Sequence, residues 1–131
     1  MDHVFIYSWP NNKDVEARAK IFYDVLTNGL KGKHKFPFRK PFQIALVKTM
    51  NNAFFVAILV KRNATTDVSG QTAGMLQKWI ENCRGHYDTI AKIPFHGNDI
   101  QTSLKTVRRG DRVIKAIGNI KKLPPPEKQK K

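Results

Sequence analysis

The apolar and polar positions of this chain repeat at two different spacings, which together predict four strands and two helices. Residues 3–9 (HVFIYSW) are rich in β-branched and aromatic side chains, as is typical of a strand. Residues 42–49 and 53–61 have the same character. The Met-Asn-Asn between them predicts a hairpin, because asparagine tolerates a left-handed turn conformation. A fourth strand is predicted over residues 87–95.

Two other segments carry apolar side chains at the three-to-four spacing of an amphipathic helix. The first ends near Gly29 or Gly32 and has as its apolar positions Val15, Ala19, Phe22, Leu26 and Leu30. The second spans residues 72–84 and has as its apolar positions Leu76, Trp79, Ile80 and Cys83. Over residues 1–97 the order is therefore β-α-β-β-α-β. This order indicates an α+β domain of the ferredoxin-like type, a sandwich in which a four-stranded antiparallel sheet carries two helices on one face.

The C-terminal part of the chain is less regular. Residues 98–123 are expected to form a basic extension that is helical to about Arg108 and again to about Lys121, with a strand near residues 113–120 as the alternative. Residues 124–131 begin with three prolines and end in lysines, so a disordered basic tail is expected there.

The formal net charge of +14 on 131 residues changes the picture, because the charge is unevenly placed. No acid occurs between Asp24 and Asp67, whereas eight bases do. Residues 98–131 hold ten bases against three acids. Clustered positive charge is the electrostatic footprint of a polyanion binder, since each neutralised phosphate releases counterions.

The bases expected to contact phosphates form two groups. The first, centred on the loop at residues 31–41, consists of Lys31, Lys33, Lys35, Arg39, Lys40, Lys48, Lys61 and Arg62. The second lies in the C-terminal extension and consists of Arg108, Arg109, Arg112 and Lys115. In such clusters lysine acts as a point charge and arginine can bind a phosphate with two parallel hydrogen bonds.

Strand alternation predicts an aromatic surface on the sheet face that the two helices leave open. In the first strand Phe5 and Tyr7 are expected there, with Val4 and Ile6 in the core. In the third strand the same alternation turns Phe55 outward. Exposed rings of this kind stack on nucleic-acid bases. The alternatives are that the C-terminal segment covers this face or that two copies pair through it.

Two short segments resemble the RNA-recognition-motif family. Residues 4–9 (VFIYSW) are similar to the family's first-strand motif, and residues 51–58 (NNAFFVAI) are more loosely similar to its third-strand motif. In this resemblance Phe5 and Phe55 take the two base-stacking positions. At the start of the third-strand motif the chain has Asn51, Asn52 and Ala53 in place of a basic residue, a glycine and an aromatic.

These features favour a non-catalytic protein that binds single-stranded RNA or DNA, with no cofactor or metal. One alternative is a small regulatory or inhibitory protein that docks on an acidic surface of a larger enzyme or ribonucleoprotein. Another is a metal-independent ribonuclease in which one histidine, at His86 or His96, acts as the base and a nearby arginine or lysine steadies the phosphate. The longest apolar stretch is too short for a membrane span, so no membrane partner is expected. The single cysteine and the absence of an apolar leader favour a cytoplasmic, nucleoid or nuclear location.

Overall fold

The computed structural model describes residues 3–32, 36–38, 42–60 and 69–118. Its elements, in chain order, are β1 (His3–Ser8), α1 (Val15–Lys31), β2 (Phe42–Lys48), β3 (Phe54–Val60), α2 (Ser69–Asn82), β4 (Thr89–Pro94), α3 (Ile100–Val107) and β5 (Arg112–Ile117). The first six elements occur in the predicted order, which confirms the α+β class. The expected tail at residues 124–131 lies outside the described residues.

The strands form one antiparallel sheet in the order β4-β1-β3-β2-β5. β2 and β3 form the predicted hairpin, in which Asn52 has a φ of 63° and its N–H donates to the carbonyl of Thr49 at 3.1 Å. The expectation of four strands is wrong, because β5 pairs with the outer edge of β2. Over residues 98–118, the part of the extension that the structure describes, one helix is followed by one strand, and the strand that was the alternative takes the place of the expected second helix.

A β-bulge explains why β5 resembles a helix in the sequence. The pairing of β2 with β5 runs from Leu46↔Lys115 directly to Val47↔Val113, so Ile114 has no partner position of its own. A bulge adds one residue to a strand and resets its alternation. Side chains three positions apart, such as Arg112 and Lys115, therefore share a face. In a sequence this spacing suggests a helix.

Both faces of the sheet are covered by helices. α1 and α2 pack on one face, where the buried residues are Phe5, Tyr7, Trp9, Ala19, Phe22, Tyr23, Leu26, Phe42, Ile44, Leu46, Phe54, Val56, Ile58, Val60, Leu76, Trp79 and Ile80. α3 packs on the other face, where they are Val4, Ile6, Ala45, Val47, Phe55, Ala57, Leu59, Ile100 and Leu104. The expected open, aromatic sheet face is therefore absent from the described part of the molecule.

The predicted orientation of β1 is reversed. Phe5 and Tyr7 point toward α1 and α2, whereas Val4 and Ile6 point toward α3. All four side chains are buried, and apart from the Tyr7 hydroxyl all are apolar. A strand that is buried on both faces shows no polar alternation, so its sequence does not fix which set of side chains faces which layer.

Side-chain amides hold α3 and β5 against the sheet. The side-chain oxygen Oε1 of Gln43, in β2, accepts a hydrogen bond from the backbone N–H of Ile100 at 2.9 Å, at the start of α3. Gln101 donates to the carbonyl of Asp111 at 3.1 Å and accepts the N–H of Val113 at 2.8 Å. These bonds satisfy backbone groups that a helix start and a strand edge otherwise leave unpaired. α3 and β5 therefore form one structural unit with the sheet.

Tyr7 offers a test of the core beneath α1 and α2. Its side chain is fully buried between the rings of Phe22 and Tyr87, and its hydroxyl has no hydrogen-bond partner among the described residues. Burial, together with Tyr87, raises the pKa of Tyr7. Because a buried hydroxyl without a partner is unfavourable, Tyr7→Phe is expected to raise the free energy of unfolding by about 1 kcal/mol in a urea titration. A loss of stability would instead show that the hydroxyl is paired.

Candidate nucleic-acid interface

The aromatic residues expected to stack on bases are inside the protein. Phe5, Tyr7 and Phe55 are 3%, 0% and 2% exposed, respectively, so none of them offers a ring face to a ligand. Phe5 and Phe55 also lie on opposite faces of the sheet. A base-stacking surface built from these residues is therefore incompatible with the structure, and any binding site must lie elsewhere.

The C-terminal basic cluster is divided between two faces. Arg108 lies on the α3 face, where its Nε donates to Asp111 Oδ2 at 2.7 Å and its guanidinium carbon lies 4.9 Å from the centroid of the Phe55 ring. Arg109 is exposed in the turn that follows. Arg112 and Lys115 are exposed on β5, on the α1 face of the sheet. Arg108 thus stabilises the docking of α3, whereas the two β5 residues remain available to a ligand.

Lys48 joins the two β5 residues on the same face. It lies directly opposite Arg112 in the pairing of β2 with β5. Its ammonium group lies 5.9 Å from the centroid of the Phe54 ring, which belongs to the core beneath α1. The ammonium group of Lys115 lies 6.0 Å from the ring centroid of Tyr23, a residue of α1. The strand edge thus presents three bases next to α1.

α1 supplies the opposite wall of this surface. The ammonium group of Lys20 lies 6.0 Å from the Phe54 ring centroid and 2.5 Å from Glu16 Oε2. The hydrogen bond and charge of Lys20, together with the charge of Lys48, hold the pKa of Glu16 below its usual value. Glu16, Lys20 and Tyr23 follow one another at helical spacing along one flank of α1. The sequence prediction omitted Lys20, although this spacing could have placed it beside the apolar face.

We call this surface the α1–β5 strip and define it by Lys20, Lys48, Arg112 and Lys115, lying over Phe54 and Tyr23. The two rings are 6% and 7% exposed, so they hold the ammonium groups in place and do not stack on bases. Three of the four bases are exposed and Lys48 is half-buried. Glu16 interacts with two of these bases, Lys20 and Lys48. The strip can accept a phosphate backbone, which needs positive charge at suitable spacing and no base pocket.

Part of the predicted basic loop can be placed at the far end of the strip. Lys31 is exposed at the end of α1, and Phe36 packs against Trp79 and Phe42 at ring centroid distances of 4.7 and 4.6 Å. The end of β5 lies at the same place. Gly118, which follows β5, is so close to the backbone of Phe42 that a Cβ added to it would lie 2.4 Å from the Phe42 carbonyl oxygen. The remaining bases predicted for binding lie outside the described residues: Lys33, Lys35, Arg39, Lys40, Lys61 and Arg62.

A surface depression that shares Lys20 and Glu16 with the strip lies at the start of α1 and is less suited to anions. It has a volume of about 560 Å³ and is lined by Lys13, Asp14, Val15, Glu16, Ala17, Lys20 and Asn52. Its two acids offset its two bases. The positive charge of this region is therefore concentrated on the strip rather than in the depression.

The two histidines considered as a catalytic base lie at opposite ends of β4. His86 precedes β4 and His96 follows it, so a six-residue strand of about 20 Å separates them. The described residues contain no cluster of three or more His, Cys, Asp or Glu side chains that could hold a metal ion. Nor do the described residues include a helix that is long and apolar enough to cross a bilayer.

No protein-family model matches the chain, and no curated protein or solved structure is significantly similar to it.

Proposed function

We propose that the protein binds nucleic acid without catalysis, through the phosphate backbone, and that the α1–β5 strip is its principal contact surface. The observation that carries the proposal is the convergence of Lys20, Lys48, Arg112 and Lys115 on one face, although they come from three different elements. Cations that gather in this way attract a polyanion, because displaced counterions gain entropy when phosphates take their place.

Backbone contacts, rather than base stacking, are the expected mode of binding. The only aromatic rings in the strip are nearly buried, and the rings expected to stack on bases lie inside the sheet sandwich. Phosphate contacts position a nucleic acid but carry no sequence information. We therefore expect the protein to bind RNA or DNA with little dependence on sequence. Binding to single strands should lack the additional affinity that base stacking provides.

We infer that β1 to β4, with α1 and α2, form a ferredoxin-like unit and that β5 extends its sheet beyond β2. The order β4-β1-β3-β2 within the larger sheet and the two helices on one face support this inference. The resemblance to the RNA-recognition-motif family supports the same architecture. It does not support the mode of binding of that family, because α3 covers the sheet face on which those proteins stack bases.

Removing three charges from the strip tests the proposed function. The variant Lys48→Ala/Arg112→Ala/Lys115→Ala is expected to weaken binding to a labelled oligonucleotide by at least tenfold near 0.1 M salt. The slope of log affinity against log salt should fall by about one unit for each lost phosphate contact. Fluorescence anisotropy across a salt series measures both quantities, for single-stranded RNA, single-stranded DNA and duplex DNA.

A matched variant controls for the loss of net charge. Arg18→Ala/Lys78→Ala/Lys105→Ala also removes three exposed positive charges, from α1, α2 and α3, and leaves the strip intact. It should bind much more like the unmodified protein. Equal weakening by the two variants would show that binding depends only on net charge. If the unmodified protein binds no oligonucleotide at physiological salt, the acidic protein partner becomes the better hypothesis.

A further inference from the structure

Within the strip, Lys48 and Arg112 occupy directly opposite positions of the antiparallel β2–β5 pair. Like charges at such positions destabilise a sheet. The contact of Lys48 with the Phe54 ring keeps its ammonium group on the α1 face, which Arg112 shares. We call these two residues the cross-strand pair. In the free protein it places two like charges at neighbouring positions on one face of the sheet.

Two acids near the cross-strand pair already interact with other bases. Glu16 hydrogen-bonds to Lys20, and Asp111, although adjacent to the pair in sequence, hydrogen-bonds to Arg108 on the opposite face. Glu16 offsets part of the positive charge through its interaction with the lysine of the pair. No ion pair within the described ranges includes either member of the cross-strand pair. The pair is thus left with a positive charge that an anion could neutralise.

The bulge at Ile114 keeps these charges together with the rest of the strip. With regular alternation, residues three apart on a strand lie on opposite faces, and Arg112 and Lys115 would be separated by the sheet. The extra residue brings both of them to the α1 face. A bulge of this kind is a means of re-aiming side chains near a functional surface. Here it aligns a guanidinium group with two ammonium groups.

We propose that the cross-strand pair is a clamp for one phosphate or phosphodiester group, which relieves the repulsion between Lys48 and Arg112. The inference rests on the proposed function, since the clamped group would be one phosphate of a bound nucleic acid. The guanidinium group offers paired N–H donors that match two phosphate oxygens, and the ammonium group adds a compact charge. An anion that binds only the folded state must also stabilise that state.

Thermal unfolding tests the clamp without nucleic acid. In chloride buffer, Arg112→Glu is expected to raise the melting temperature by about 1–5 °C, because it turns repulsion by Lys48 into attraction. When inorganic phosphate replaces chloride at constant ionic strength, the melting temperature of the unmodified protein should rise with phosphate concentration. Arg112→Glu and Lys48→Gln should lose most of this rise.

Two variants control for general effects of charge and of phosphate. Arg112→Lys keeps the charge at the same position but lacks the paired N–H donors, so it should keep a larger part of the response to phosphate than Arg112→Glu does. Lys105→Glu makes the same change of charge on α3, on the opposite face of the sheet from the pair, and should keep the response. The clamp is wrong if Arg112→Glu lowers the melting temperature in chloride, or if the cross-strand variants respond to phosphate as strongly as the controls.

An oligonucleotide titration separates failure of the clamp from failure of the proposed function. If the clamp holds a backbone phosphate, Arg112→Gln should lower the slope of log affinity against log salt concentration by about one unit. Tight binding to the unmodified protein, with an unchanged slope for Arg112→Gln, would overturn the clamp and leave nucleic-acid binding standing. A phosphate response that the cross-strand variants lose, in a protein that binds no oligonucleotide, would support the clamp as an anion site and overturn the proposed function.

Discussion

Phe55→Ala is expected to lower the free energy of unfolding by about 3–5 kcal/mol, which is the usual cost of removing a buried phenylalanine. Phe55 is 2% exposed and is enclosed by apolar residues of β1, β2 and α3. The guanidinium group of Arg108 covers its ring at 4.9 Å. The truncation would leave a cavity between the sheet and α3 and remove this cation–π contact. A urea titration followed by circular dichroism measures the loss.

Phe55→Leu separates a packing role from a binding role. Leucine fills most of the space and should cost less than about 1.5 kcal/mol, but it has no aromatic ring for stacking. We expect this variant to bind oligonucleotides as tightly as the unmodified protein. A variant that folds normally and binds at least tenfold more weakly would show instead that the ring contacts nucleic acid.

Leu104→Ala is expected to destabilise the protein by about 2–5 kcal/mol, because Leu104 is completely buried where α3 meets the sheet. A helix that only lay loosely on the sheet would tolerate this truncation. The expected loss would show that α3 is part of the core on which β1 and β3 depend. The same urea titration measures it, and a single transition would show that α3 unfolds together with the sheet.

Val107→Ala is the matched control on the same helix. Val107 lies one turn further along α3 and is 50% exposed, so its truncation should change the free energy of unfolding by less than about 1 kcal/mol. If both α3 variants unfold at nearly the same urea concentration as the unmodified protein, α3 contributes little to the core, and the covered sheet face would need another explanation.

The first six elements could be predicted because each has a strong local signal. α1 and α2 repeat their apolar positions at helical spacing, and the β2–β3 hairpin has asparagine at the position that takes a φ of 63°. These signals depend on neighbouring residues in the chain. They are therefore present in the sequence whatever packs against the segment later.

The covering of the second sheet face could not be predicted in the same way. β3 is buried at every position, so its composition does not reveal whether one layer or two enclose it. The bulge at Ile114 then gave β5 the spacing of a helix. Both errors concern long-range pairing, which a local pattern does not encode.

The sequence predicted three of the four bases of the candidate site, but it did not predict that they lie together on one face. Lys48, Arg112 and Lys115 were each expected to bind phosphate because of the charge around them. Their convergence depends on the β2–β5 register, and the pairing of β5 was itself unforeseen. Lys20 was missed because it lies outside the acid-free segment, in a stretch that also contains Asp14, Glu16 and Asp24.

The position of α3 late in the chain also affects how the protein is made. β1, β2, β3 and β4 all precede α3, so the strands that carry Val4, Phe55 and Leu59 leave the ribosome before the helix that covers this apolar face. At typical elongation rates the ribosome needs on the order of a second to add the residues from the end of β4 to the end of α3. During that interval the nascent chain displays a hydrophobic surface that favours aggregation or capture by a chaperone. A truncated protein that ends before residue 100 would lack α3 and leave that surface permanently exposed.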